Sequence, residues 1–391
     1  MSYKSFFASL LLHSCLFAMG AWAQMDSLLF VRQYGLDSTA RGELAVEVDN
    51  VTFFQDNEYD RSRVVGYTLP GLWIQPKVTY QPLGNLKVEA GVHSLIYFGK
   101  TKYPTVAYQD IGAWKGRDYM EGAHVLPYFR ANMRIGKTHW VLGNIYGGLN
   151  HRLVEPLYSP ELGLTCDPEA GLQMLVDMKH WHLDVWVNWQ SFIFRNDTHQ
   201  EAFTFGGNSE LRFGRLTIPV QAVVQHRGGE IQVDSAHVGV QTLINGAVGV
   251  RYEQPVATSW LKRLTLEADG LYYLQQSGHM YPLDNGYGIF AKALLDFAPG
   301  IRFKLAYLKS KDFVSLFGNG QYSSVSCSDR STTFRNAQTV STAIEYSRTF
   351  AGCYTFGARA EAYYFTPNSA VDCNFGVYMK INPKFIIKKF F

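Results

Sequence analysis

From about residue 41 to the carboxyl end, apolar and polar residues alternate with a period of two. In LKVEAGVHSLI (86–96) one set is Leu86, Val88, Ala90, Val92 and Ile96, while the other opens Lys87, Glu89, Gly91, His93. In RLTLEADGLYYL (263–274) Leu264, Leu266, Ala268, Tyr272 and Leu274 share one face, and Arg263, Thr265, Glu267 and Asp269 the other. A helix would smear both sets around its cylinder, whereas a strand sends them to opposite faces. The pattern predicts strands near 41–54, 71–82, 85–98, 123–135, 137–149, 168–179, 180–194 and 203–213. It continues with 215–228, 237–253, 261–275, 286–298, 300–313, 338–349, 353–365 and 371–381.

The connections decide the kind of sheet. Short turns such as PLG, IGK, MKH, FGR and APG alternate with long segments such as 99–122, 150–167 and 314–337. Short turns at one end and long loops at the other are the rhythm of a membrane-spanning barrel. The expectation is therefore an all-β chain: a transmembrane, antiparallel, up-and-down β-barrel of about sixteen strands, within a range of about 14–18. Composition agrees. Aromatic residues make up 15% and charged residues only 18%, against roughly 25% charged in ordinary globular chains. A formal net charge of +3 is too mild to suggest a nucleic-acid partner.

The amino end points to a compartment. Lys4, an apolar run from Phe6 to Ala18, and Ala21-Trp22-Ala23 read as a secretory signal peptide cleaved after residue 23. A competing lipid anchor at Cys15 fits poorly, because His13 spoils its motif. Residues 24–40 would be a periplasmic lead-in too short to plug a barrel, and 41–391 the barrel itself. The place would be the cell outer membrane.

Several fragments were weighed for chemistry. HWHLDVWVNWQSFIF (180–194) puts His180, His182 and Asp184 on one strand face, as three metal ligands or as one polar stripe. Trp181 and Trp189 lie on its other face, about 26 Å apart along a strand, a spacing that suits two aromatic girdles. With no partner cluster in view, the stripe reads as lumen-facing and no metal is expected. No G-x-S-x-G occurs, and no Ser and His stand as an evident pair on an apolar face. The GKT fragments at 99–101 and 136–138 lack the first glycine of a phosphate loop. The chain is accordingly expected to be no enzyme and to carry no cofactor. Loop 99–122 would either fold inward as a constriction or cap the mouth, and 315–336, rich in Ser and Gly, would be mobile. Cys327 would pair with Cys166 or Cys373.

The segments NVTFFQDNEYDRSRVVGYTLPGLWIQPKVTY (50–80) and NFGVYMKINPKFIIKKFF, with the terminal Phe390-Phe391, resemble porin-like outer-membrane barrels of Gram-negative Bacteroidetes. The resemblance spans the mature chain and implies a passive channel for small polar solutes. Phe391 is similar to the assembly signal read by the barrel-assembly machinery. Lumen-lining residues would be Lys87, Glu89, Arg130, Arg134, Asp184, Arg263, Glu267, Arg302, Lys304, Arg359 and Glu361. The aromatic girdle would include Trp181, Trp189, Tyr272 and Tyr364. Partners would be outer-membrane lipid, the assembly machinery and solutes, with a homo-oligomer open. One alternative is a non-conducting adhesin, scaffold or secretion subunit. A second is a barrel enzyme acting on lipid, which in the phospholipase type carries a Ser/His/Asn arrangement on the outer wall, with the nucleophile activated by a neighbouring base.

Overall fold

The structure is a computed structural model that describes residues 29–60, 62–97, 122–191, 200–229, 239–366 and 368–391. Seventeen strands run β1 Glu43–Asp60, β2 Val65–Leu83, β3 Leu86–Tyr97, β4 Gly122–Ile135, β5 Thr138–Asn144 and β6 Ala170–Asp177. They continue β7 Trp181–Ser191, β8 Ala202–Phe213, β9 Leu216–Arg227, β10 Gln241–Pro255, β11 Leu261–Ser277 and β12 Asn285–Phe297. The last are β13 Ile301–Lys311, β14 Asn336–Phe350, β15 Tyr354–Phe365, β16 Ala370–Ile381 and β17 Lys384–Lys389. Each strand pairs antiparallel with the next through β16, and β1 closes the ring against both β16 and β17.

The last two strands are one wall position split in two. Asn50–Glu58 of β1 pair with β16 and Glu43–Glu47 with β17. Pro383 lies in the gap, where its missing N–H cannot serve the ladder, although its carbonyl accepts from Val48 N at 3.1 Å. The result is a closed sixteen-position barrel without a free edge, the only sheet that satisfies its backbone in lipid.

The outer face carries the apolar band that the alternation anticipates. Val125, Leu142, Val248, Ile289 and Ile344 are each more than half exposed, and Phe205 and Phe375 nearly so. Tyr272 and Tyr364 also point outward, 48% and 41% exposed. Trp181 and Trp189 are half-buried on the same face of β7.

β1 and β2 extend six residues further toward the extracellular side than the alternation marks. The end of β1, Gln55 to Asp60, is polar, while the matching start of β2 turns Tyr67 and Leu69 inward. Such a ladder can continue above the bilayer, beyond the roughly 9–11 residues needed to cross.

The interior departs from a wet lumen. The β5–β6 loop turns inward, burying Leu149, Val154, Leu157, Leu162 and Leu164. The β13–β14 loop follows, burying Phe313, Leu316, Phe317 and Tyr322, so the first half of 315–336 is packed inside the barrel, while 328–336 stays exposed or half-buried. The two loops meet in a bridge between Tyr158 and Phe317. Strand residues facing them are apolar: Leu271, Tyr273, Phe290 and Leu308 are at most 3% exposed. The lead-in also enters the barrel. Leu29 is buried, the Arg32 carbonyl accepts from Asn150 Nδ2 at 2.8 Å, and Asn132 Nδ2 donates to the Tyr34 carbonyl at 2.9 Å. Short as it is, it fills space that the two loops have already narrowed. Loop 99–122 lies almost wholly outside the described residues.

Candidate functional site

Most of the charged residues named from sequence point inward and find partners. Lys304 Nζ lies 2.8 Å from Glu155 and 2.6 Å from Glu361, whose other oxygen is 2.6 Å from Arg359. Arg130 meets Glu89 at 3.0 Å, and Lys87 reaches the same carboxylate at 3.1 Å. Glu267 is held by Lys292 at 3.0 Å, Arg302 by Asp296 at 2.5 Å, and Arg263 by the same aspartate at 3.7 Å. Arg134 is half-buried at a periplasmic turn, where its carbonyl accepts from Asn85 Nδ2. Buried charges need such pairing. Here one of the partners, Glu155, comes from the inward loop.

Asp184 has a different partner from either sequence reading of its stripe. His151, from the β5–β6 loop, places Nδ1 2.7 Å from Asp184 and Nε2 3.1 Å from Glu169. A loop that descends into the barrel brings a rim residue to mid-strand, which spacing along the chain does not reveal. His182 is buried 3.8 Å from Asp177, and His180 is exposed at the turn. No metal-holding cluster occurs among the described residues.

Trp186, the aromatic that interrupts the inward stripe, stacks on the His151 ring at 3.5 Å and 11°. It fits because its neighbour across β8 is Gly206, where a Cβ would sit 2.0 Å from the indole. Burial alone would push the His151 pKa down, but the carboxylates of Glu169 and Asp184 hold it up at about 9. Protonated, with both nitrogens engaged, His151 braces the loop and cannot act as a base. Nor do the cysteines bridge: no disulfide joins Cys166, Cys327, Cys353 or Cys373. Beside this brace lies a cavity of about 100 Å³ with a mixed lining, polar at Arg32, Gln75 and Arg130 and apolar at Phe30, Trp73 and Leu162. At roughly 30 Å³ per molecule it suits a few waters.

The outer wall carries a second histidine, one that sequence reading passed over. Trp189, Phe203, His226 and Thr242 are register partners across β7, β8, β9 and β10, forming one row on the lipid-facing side. His226 and Thr242 each lie one residue from the extracellular end of their strand. His226 Nδ1 is 3.0 Å from Thr242 Oγ1, and its ring lies 4.9 Å from Phe203, which stacks on Trp189 at 5.2 Å. Trp189 Nε1 donates to Glu201 at 3.1 Å. With the Nε2 tautomer, Thr242 Oγ1–H donates to Nδ1, the geometry of a hydroxyl prepared by a base. Below the row the wall is apolar, with Phe205, Val224, Ile244 and Val248. The pair escapes sequence reading because its members lie 16 residues apart and meet only across a hairpin. Its one local signal is a histidine closing the outward series Val220, Ala222, Val224.

Comparison with known proteins supplies a family. The model of the lipid A 3'-O-deacylase-type family matches residues 36–390. This overturns the expectation of no enzyme, which rests on the lack of a G-x-S-x-G motif and of an evident Ser–His pair on an apolar face. No curated protein matches the chain. Among solved structures, the chain is similar to a loop-deleted form of OmpT, an outer membrane protein of Vibrio cholerae, at 10% identity and TM-score 0.49, covering 87% of this chain and 99% of that one. Salmonella typhi OmpF in complex with daunomycin gives 12% identity and TM-score 0.48, covering 88% and 98%. OprD of Pseudomonas aeruginosa gives 10% and 0.46, covering 90% and 98%. The chain is an outer-membrane β-barrel.

Proposed function

The chain belongs to the lipid A 3'-O-deacylase-type family, and from that premise we propose that it hydrolyses a fatty-acyl ester of a lipid A-like glycolipid in the outer leaflet. The observation that carries this reading is the His226–Thr242 contact on the lipid-facing wall. At the extracellular end of the strands, headgroup gives way to hydrocarbon, and an acyl ester resides at that boundary. A substrate reaches the pair from the membrane plane without entering the barrel.

Thr242 Oγ1 attacks the ester carbonyl carbon while its proton passes to His226 Nδ1. The tetrahedral intermediate collapses, the sugar alkoxide leaves with that proton, and the acyl group remains on Thr242. Water, deprotonated by the same imidazole, then releases the fatty acid and restores the hydroxyl. The apolar residues below the row give the acyl chain a wall to lie against.

The test is fatty-acid release from lipid A by the purified, refolded barrel. His226→Gln and Thr242→Val are each expected to lower kcat at least 100-fold, within the usual range for general-base loss, while Thr242→Ser keeps turnover. Heat-modifiable migration in gels checks that each variant is folded. Undiminished release by both disabled variants would refute the assignment.

A further inference from the structure

On β13 the residues facing lipid are Phe303, Leu305, Tyr307, Lys309 and Lys311, so the apolar series ends in two cations at the extracellular rim. Their register partners are Ile289 and Gln338 for Lys309, and Tyr287 and Asn336 for Lys311. Tyr287 and Ile289 are 61% and 63% exposed, and Tyr307 donates to Gln338 at 3.3 Å. Among the described residues, neither lysine has an ion-pair partner, in contrast to the paired cations of the interior. The rim is charged differently elsewhere: β1 turns Asp56 and Glu58 outward near its extracellular end.

Lysines at the rim of a lipid-facing wall attract anionic headgroups at a charged membrane surface. Their place relative to the candidate site is informative. Three inter-strand spacings of about 4.8 Å separate β13 from β10, and with strands tilted by roughly 35–45° that is roughly 19 Å around the wall. Thr242 and Lys311 both lie within a residue of their strands' extracellular ends. One headgroup whose acyl ester sits at Thr242 can therefore bring a phosphate to β13.

We propose that Lys309 and Lys311 form a phosphate clamp that docks the headgroup of a phosphorylated glycolipid and sets its acyl ester against His226 and Thr242. The clamp's part in turnover rests on the deacylase reading; its binding does not. Tyr287 and Tyr307 flank the cations as amphipathic contacts at the interface, and Gln338 and Asn336 offer amide donors beside them.

The test uses the double variant Lys309→Gln, Lys311→Gln in the full-length barrel, with folding checked by heat-modifiable migration. Lipid A with its phosphates, the same lipid dephosphorylated, and phosphatidylglycerol are compared, both for retention on the immobilised barrel and for fatty-acid release. The variant is expected to raise the half-saturating concentration of phosphorylated lipid A about tenfold, with kcat and the dephosphorylated lipid unaffected. No change with the phosphorylated lipid, or an equal change with the dephosphorylated one, would overturn the clamp. Equal loss with phosphatidylglycerol would overturn its commitment to a glycolipid. Lysine-dependent retention by a wild type without turnover would instead sink the deacylase reading and leave the clamp standing.

Discussion

His151 offers the most quantitative handle on the interior. Its imidazole is buried between Asp184 and Glu169, and it rises from the ordinary 6.5 to about 9 because those carboxylates outweigh burial. At 1.36 kcal/mol per pH unit, that rise corresponds to about 3 kcal/mol of loop docking. A folded-state pKa above the unfolded one means the contribution is complete below pH 6.5 and lost as pH climbs through about 9. The peptide after Arg152, next to the histidine, reports undocking because trypsin cuts there only when the loop leaves the barrel. Cleavage of the folded wild type should accelerate by up to about 100-fold between pH 7 and 10, after correction with a control peptide. His151→Gln leaves two carboxylates without their cation, so cleavage should be fast already at pH 7 and follow the control at higher pH. A wild type no more pH-dependent than the control peptide, or a variant that keeps the wild-type profile, would refute the protonated brace.

Two further outcomes concern the same interior. Gly206→Val should displace the Trp186 indole, since even a Cβ would sit 2.0 Å from it; overpacking costs about 1–3 kcal/mol, read as faster cleavage at Arg152 at neutral pH with normal wall migration. In planar bilayers the wild type should show no large conductance steps, because loops and lead-in fill the interior. Deleting 148–165 should produce such steps, and a wild type that conducts like an open porin would contradict that filling.

The wall was legible because its physics is local: side chains two residues apart share a face, and lipid outside forces the apolar set outward. Lys87, Glu89, Glu267 and Glu361 all lie on the inward side of their strands, with the charges facing in. The filling was not legible, since whether a loop turns inward depends on surfaces far away in the chain. Arg63 Nη1 donates to the carbonyl of Ser323, 260 residues on, and no spacing rule reaches that far. A trace was nevertheless present. Leu271 and Tyr273 follow Asp269 on the inward face of β11, and apolar residues facing an expected water column imply that something covers them. The outer-wall pair is hidden for a simpler reason: no serine motif covers it, because the hydroxyl is a threonine on the strand next to the histidine's.

The divided seam has a kinetic meaning of its own. Every residue of β17 is exposed, and its pairing with Glu43–Glu47 can be lost without touching the nine β1–β16 pairs that close the ring. Hydrogen exchange along β1 should therefore show two levels of protection, with the change falling at about Val48. Sealing the barrel and letting go of its carboxyl end are separate events in this chain, and Pro383 marks the division between them.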